Sequence, residues 1–175
     1  MFVTHNRIMK RSFAPVVTTD ARVLVLGSMP GEVSLRMQQY YAHSHNLFWK
    51  FIFVCAAADF STDYQRRIEV LGSLHVALWD VLQQCQREGS LDSSIDKASE
   101  QPNDIAGLLE KLPHVVKICF NGQKAFLSFK KHVLKNLPKL AQRYQLVILP
   151  STSPANASID YQTKFTRWRQ ELKTD

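Results

Sequence analysis

The run Arg22-Val23-Leu24-Val25-Leu26-Gly27-Ser28 constrains this chain more than any other stretch. Four consecutive apolar residues, half of them Val, stop at a glycine. A strand wetted on one side alternates apolar with polar positions. A strand with no polar position is buried on both faces, as in a parallel sheet covered by helices. Met29-Pro30-Gly31 then reads as a turn. Further candidate strands lie at 75–80 (His75-Val76-Ala77-Leu78-Trp79-Asp80), 115–120 and 145–149, the last stopped by Pro150.

Helical patterns fall between these strands. Leu47, Phe48, Phe51, Ile52 and Val54 make one apolar face, with Asn46 placed to cap it. Others run over 64–71, from Asp104 through Leu112, over 123–134 and over 161–172. Residues 32–42 read as a loop or short helix, and 81–86 as a helical continuation of the second strand. Strands alternating with helices predict a three-layer α/β/α sandwich around a central, mainly parallel four-stranded sheet. Residues 1–20 read as an N-terminal arm and 21–175 as a single domain. The polar stretch 87–104 reads as a long loop within it.

Composition narrows the functional classes. At 45% hydrophobic and 21% charged residues, 175 residues can build one core without staples, and disorder over most of the length is excluded. No apolar run approaches the roughly 18 residues of a membrane span, so no membrane partner is expected. Residues 1–7 lack the apolar stretch of a secretory signal. Cys55, Cys85 and Cys119 are odd in number and widely spaced, with no Cys-x-x-Cys pair. That argues against zinc or iron–sulfur ligation and for reduced, mostly buried thiols in a cytoplasmic protein. No metal or other cofactor is expected. The net charge of +7 favours a polyanionic partner such as nucleic acid.

In a parallel α/β sheet, ligands bind beyond the carboxyl ends of the strands. Three of those ends are chemically unusual: Gly27-Ser28-Met29-Pro30-Gly31, Phe120-Asn121-Gly122, and Pro150-Ser151-Thr152-Ser153-Pro154-Ala155-Asn156. If the sheet forms, they gather at one edge.

These same segments carry a family resemblance. Gly27 to Gly31, then Tyr40-Tyr41-Ala42-His43 and Asn46-Leu47-Phe48-Trp49, resembles the first motif of the uracil-DNA glycosylase superfamily. Its mismatch-specific branch has a similar Gly-x-Asn-Pro-Gly turn followed by Asn-x-Phe-Trp. The stretch from Leu149 to Asn156 resembles the superfamily's second motif, a loop that enters the DNA minor groove. Ser-Thr-Ser-Pro-Ala-Asn, together with Asn121-Gly122, is most similar to the hypoxanthine (deoxyinosine) DNA glycosylase branch. The resemblance covers about residues 22–170. It departs at Met29, where the mismatch-specific branch has the Asn that handles the attacking water. The hypoxanthine branch also lacks that Asn, and the resemblance implies that Asn46 takes the task.

A glycosylase breaks the bond between deoxyribose C1′ and the base, through a cation-like sugar. It must flip the base out and place a water opposite it. In that chemistry Tyr41 would stack on the base; otherwise it is a core aromatic. Asn46 would orient water or bind the base, or serve only as a helix cap. Asn121 would read the base edge through its paired donor and acceptor, or simply form an Asn-Gly turn. Ser28, Met29 and Pro30 would line the base pocket, with Gly31 allowing close approach of the backbone. Ser151, Thr152 and Ser153 would donate to phosphates, or cap the last helix. Pro154, Ala155 and Asn156 would form the wedge into the minor groove.

His43 and His45 lie beside these groups and read as surface or phosphate-contacting. Asp80 reads as a loop or cap residue, with water orientation as its alternative. Trp49, Trp79 and Trp168 read as core. Lys124, the nearest lysine to the Asn121 strand end, and the run from Phe129 to Lys135 read as solvated helix faces.

The resulting expectation is a monomeric, monofunctional hydrolase of N-glycosyl bonds. Its partner would be DNA containing a deaminated base, with hypoxanthine ahead of uracil and xanthine. The alternatives are a mismatch-type uracil-DNA glycosylase and a catalytically silent DNA binder of the same fold.

Overall fold

A computed structural model describes residues 8–173. The leader reading made on residues 1–7 lies outside them. Strands β1 (Met9–Arg11), β2 (Val23–Gly27), β3 (Val76–Asp80), β4 (Leu82–Gln86), β5 (Gln101–Pro102), β6 (Lys117–Asn121) and β7 (Gln145–Leu149) form two sheets. The larger is parallel, in the order β3-β2-β6-β7. The smaller is antiparallel, in the order β1-β4-β5. The helices are α1 (Glu32–Met37), α2 (Phe48–Cys55), α3 (Tyr64–Ser73), α4 (Ile105–Lys111), α5 (Gln123–Phe129), α6 (Leu140–Arg143) and α7 (Tyr161–Leu172). A π-helical turn, Lys130–Leu134, continues α5.

The pleat of β2 explains the layers. Val23 and Val25 face one side and pack with Phe48, Phe51 and Ile52 of α2, Val70 and Leu71 of α3, and Trp168 of α7. Leu24 and Leu26 face the other and meet Leu108 and Leu109 of α4, and Ala125 and Phe129 of α5. Every residue of β2 is buried, as an apolar run without alternation requires. The α/β/α sandwich read from the sequence is the observed fold. The Trp readings hold for Trp49 and Trp168, both buried, while Trp79 is half-buried.

The helix expected over 81–86 is instead β4. Its buried residues, Leu82 and Cys85, are three apart, a helical spacing. The cause is a register shift between Leu82 and Gln84, which interrupts the two-residue alternation of a strand. Pairing with residues 9–11 and 101–102 selects the strand, and neither partner is local in sequence. Residues 8–20 also run close to the sheet, with Val16 bridging Leu78.

The chain leaves β2 for β3 on one side and then reaches β6 on the other, so β2 is the switch point of the sheet. Open α/β sheets leave their ligand crevice at the carboxyl end of such a strand.

Candidate active site

All four carboxyl ends of the parallel strands meet at one cavity of about 470 Å³. Gly27 to Gly31 follow β2, Asp80 ends β3, Asn121 ends β6, and residues 151–156 follow β7. The three unusual strand ends therefore converge as expected.

Tyr41 forms the aromatic wall. Its φ of 52° places a bulky side chain in the left-handed region, a conformation that persists only where surrounding contacts impose it. Its ring packs on Phe48 at a centroid distance of 4.3 Å. Its hydroxyl is buried and meets no partner at full hydrogen-bond geometry among the described residues, with the Asn121 side chain near enough to oppose the rise in its pKa. Burial, and next the charge of Asp80, push the phenol well above its ordinary range. Tyr40, by contrast, is core: its ring lies edge-on to Phe13 and its hydroxyl donates to the Ala14 carbonyl.

Asn46 stands just before Leu47, the N-cap residue of α2, and its Oδ1 accepts from the Phe48 N–H at 3.0 Å. The capping contact is thus present. It leaves a second lone pair on Oδ1 and the whole NH₂ group without a hydrogen bond among the described residues. Asn46 also lines the cavity.

Asn121 and Thr152 make a reciprocal pair. Asn121 Nδ2 donates to Thr152 Oγ1 at 2.9 Å, and the Thr152 N–H donates to Asn121 Oδ1 at 2.9 Å. The Thr152 carbonyl accepts from the Leu47 N–H. Thr152 is fully buried, so the phosphate contact expected of it is corrected: it braces the loop from within. Ser151 and Ser153 are half-buried, and their hydroxyls cap the N–H groups of Ser153 and Ala155. Pro154 and Ala155 are exposed at the tip. Asn156 donates to the Ser151 carbonyl, and its own carbonyl accepts from the buried Lys164.

The first-motif turn is held by a residue that sequence reasoning passed over. The Arg87 guanidinium, 1% exposed, donates to the carbonyls of Met29, Pro30 and Gly89. Met29 itself is buried against Leu82, Cys85 and Ile95, and its thioether carries no group able to activate a water. Ser28 donates to Asp92 at 2.6 Å, and the Glu32 N–H donates to Ser90. The stretch 87–104, read only as a loop, thus supplies Ser90 and Asp92 to the cavity wall. No motif marks these residues. Their signal was only an Arg and an Asp in a polar stretch.

Asp80 is 3% exposed, and its Oδ2 is buried without a hydrogen-bond partner among the described residues. Burial, and next the charge of Asp92, push its carboxyl up to about 8, with Arg87 pulling the other way. Burial likewise raises Asp92, opposed by Ser28 and Arg87. His43 lines the cavity and is exposed, and His45, also exposed, lies beside it with ring centroids 5.6 Å apart.

Lys124 does not reach the cavity and is not a solvated lysine. With Lys131 and His132 it contacts Glu100, whose side chain is 1% exposed. The run from Phe129 to Lys135 is accordingly a solvated face only in part. Among the described residues, no group of three His, Cys, Asp or Glu is placed to hold a metal, and no helix is long and apolar enough to cross a membrane.

A parallel sheet whose switch-point crevice holds an aromatic wall, an amide and a braced loop defines a three-layer protein of the DNA glycosylase class. The chain belongs to the uracil DNA glycosylase superfamily, whose family model matches residues 14–173. It is 35% identical over 150 residues to a hypoxanthine DNA glycosylase of Methanosarcina acetivorans, covering 85% of this chain and 89% of that protein. A hypoxanthine DNA glycosylase of Methanosarcina barkeri is 33% identical over 165 residues, covering 94% and 98%. The solution NMR structure of a candidate uracil DNA glycosylase from Methanosarcina acetivorans superposes with a TM-score of 0.76. It is 32% identical, and the match covers 94% of this chain and 97% of that one.

Proposed function

We propose that this chain is a monofunctional DNA glycosylase that flips a deaminated base from DNA and hydrolyses its N-glycosyl bond, with hypoxanthine the first substrate and uracil and xanthine behind. The observation that carries the reading is the placement of Asn46 beside Tyr41 in the cavity at the carboxyl end of β2. The relatives' names point to hypoxanthine.

In this reading Tyr41, supported from behind by Phe48, stacks on the base. The free lone pair of Asn46 Oδ1 accepts a hydrogen bond from the attacking water and orients the water oxygen toward C1′. A neutral amide is too weak a base to take the water's proton. The C1′–N bond breaks as the water oxygen bonds to C1′, the electron pair leaves with the base, and the water's proton ends on the departing base. Hypoxanthine and uracil spread the developing charge onto their oxygens, so hydrogen-bond donors suffice for catalysis.

Ser28, Pro30 and Gly31 shape the pocket floor, and Met29 seals it from below. Asn121 and Thr152 fix the loop whose Ser151 and Ser153 face the phosphates. Pro154, Ala155 and Asn156 fill the gap that the flipped base leaves. The enzyme is proposed to act as a cytoplasmic monomer in base excision repair, needing no metal. Its three free thiols suit a reducing compartment.

The test is single-turnover cleavage of duplexes carrying one hypoxanthine, uracil or xanthine. Alkali-sensitive product from hypoxanthine is expected, falling at least ~100-fold in Asn46→Ala, the scale of a lost transition-state contact. Product from uracil alone would move the assignment to a mismatch-type enzyme. Salt-sensitive binding with no product would leave a silent DNA binder and overturn the proposal.

A further inference from the structure

Two buried polar groups of the pocket lack a partner, the Tyr41 hydroxyl and the Asp80 carboxyl, and only the carboxyl can offer a base edge a donor beside an acceptor. Asp80 closes β3, in register with Gly27 of β2, and lines the cavity. Its Oδ2 is buried without a partner. A buried acceptor left unpaired costs about 1–3 kcal/mol, so its persistence at a ligand site calls for a ligand. Asn121, the reader suggested by the sequence, spends one N–H and one lone pair on Thr152, which fixes its amide as a brace between β6 and the loop after β7. The nearby Arg87 guanidinium is directed at three backbone carbonyls and not at Asp80.

Resting on the glycosylase reading above, we propose that Asp80 recognises the flipped base as a neutral carboxylic acid, its hydroxyl donating to O6 of hypoxanthine and its other oxygen accepting from N1–H. A neutral acid offers one donor beside one acceptor. The lactam edges of hypoxanthine, xanthine and uracil all present the complementary pair, an N–H beside a C=O. An ionised carboxylate has two acceptors and would set one against the lone pairs of O6.

The surroundings keep the acid neutral near pH 7. Tyr40, Tyr41 and Tyr64 face it on the α2–α3 side, Asp92 from the polar loop, and Arg87 from beyond β4. Of these only Arg87 favours the charged form, and burial together with Asp92 outweighs it, placing the midpoint at about 8.

The experiment is the pH profile, from pH 6 to 9.5, of single-turnover excision from a deoxyinosine duplex by the wild type and Asp80→Asn. It is paired with binding of a duplex carrying 2′-fluoro-2′-deoxyinosine, which resists excision, measured against its 2′-fluoro-2′-deoxyadenosine counterpart. The wild-type rate is expected to fall about tenfold per pH unit above its midpoint. Asp80→Asn offers a donor and an acceptor that do not titrate. Whatever its rate at pH 7, it is expected to lose that fall, since an isosteric amide keeps both hydrogen bonds at every pH. Ionisation of the base's own N1–H adds a decline at higher pH that both proteins share. Asp80→Leu, checked by its melting curve, is expected to lose about tenfold or more of the binding preference for the inosine analogue, as when a polar edge goes unmatched.

An alkaline limb unchanged in Asp80→Asn, or a full preference in folded Asp80→Leu, would overturn the assignment of Asp80 alone. A wild type that releases no base from hypoxanthine, uracil or xanthine at any pH would overturn both this inference and the glycosylase reading.

Discussion

Asn121 and Thr152 join the ends of β6 and β7 through two hydrogen bonds of 2.9 Å, one to each end of the Asn121 amide. Because the Thr152 carbonyl also receives the Leu47 N–H, this contact links both motif regions to one buried residue. Gly122, at φ 93°, lets the chain turn directly behind it, where a Cβ would lie 3.1 Å from Ser151 Cβ. Asn121→Ala would leave the Thr152 N–H buried and unpaired. The expected cost is about 1–3 kcal/mol, read from urea unfolding. Excision is expected to fall about 10–100-fold as the loop loses its placement. Full activity in a stably folded Asn121→Ala protein would mean the loop is held by its own serine turns.

Arg87 is expected to behave as a positioning residue. Arg87→Met removes the donors to three carbonyls from a buried site, which costs about 3 kcal/mol or more. Arg87→Lys keeps the charge but not the planar fork, and should recover only part of the loss. The informative readout is excision in the folded fraction, where the Met29-Pro30 turn is free to shift. A drop of about 10-fold or more for Arg87→Lys is expected, since ångström-scale misplacement has effects of that order.

Gly27 has no room for a side chain. A Cβ there would lie 2.4 Å from Asp80 Oδ1 and 2.9 Å from the Tyr41 hydroxyl. Gly27→Ala therefore has to displace Asp80, Tyr41 or both. Overpacking of this kind costs about 1–3 kcal/mol, and excision is expected to fall about 100-fold because the pocket wall moves. Titration of tyrosine absorbance offers a check, since Tyr41 should ionise more readily once its contacts loosen.

Glu100 is expected to control acid stability. Burial pushes its carboxyl up, but hydrogen bonds from Lys124, His132 and Lys131 outweigh this and hold it at about 2, below its ordinary 4.5. A depressed carboxylate stabilises the fold above its unfolded value, and that contribution is lost as pH falls through the folded one. The wild type should thus lose this increment between about pH 4.5 and 2. Glu100→Gln should be less stable by about 3 kcal/mol at pH 7, as when a buried pair loses one partner. The two melting curves should converge toward pH 2.

Much of this molecule was legible in one dimension. The unbroken apolar run of β2 dictates burial on both faces, and that alone implies helices on either side of a parallel sheet. The helices 123–134 and 161–172 were readable because a repeating apolar face is a local signal. The strand ends Gly27 to Gly31, Asn121-Gly122 and Pro150 to Asn156 stood out because turn chemistry is local too. Asn46 and Tyr41 were readable through their motif.

What only the tertiary structure decided depends on contacts between residues far apart in the chain. β4 imitates a helix because a register shift breaks its alternation, and its partners lie more than ten residues away. Asp80, Asp92 and Arg87 gain their character from burial and from one another. A carboxyl in an open loop and one buried beside a second carboxyl are the same letter in a sequence, yet burial pushes the pKa of the second upward. Thr152 reads as a surface hydroxyl until the fold encloses it. Side-chain type and local spacing set the elements and the order of the strand ends. Desolvation and long-range hydrogen bonding, which exist only once the chain has closed on itself, set which of those groups carries a charge, which braces a loop and which is left open to a ligand.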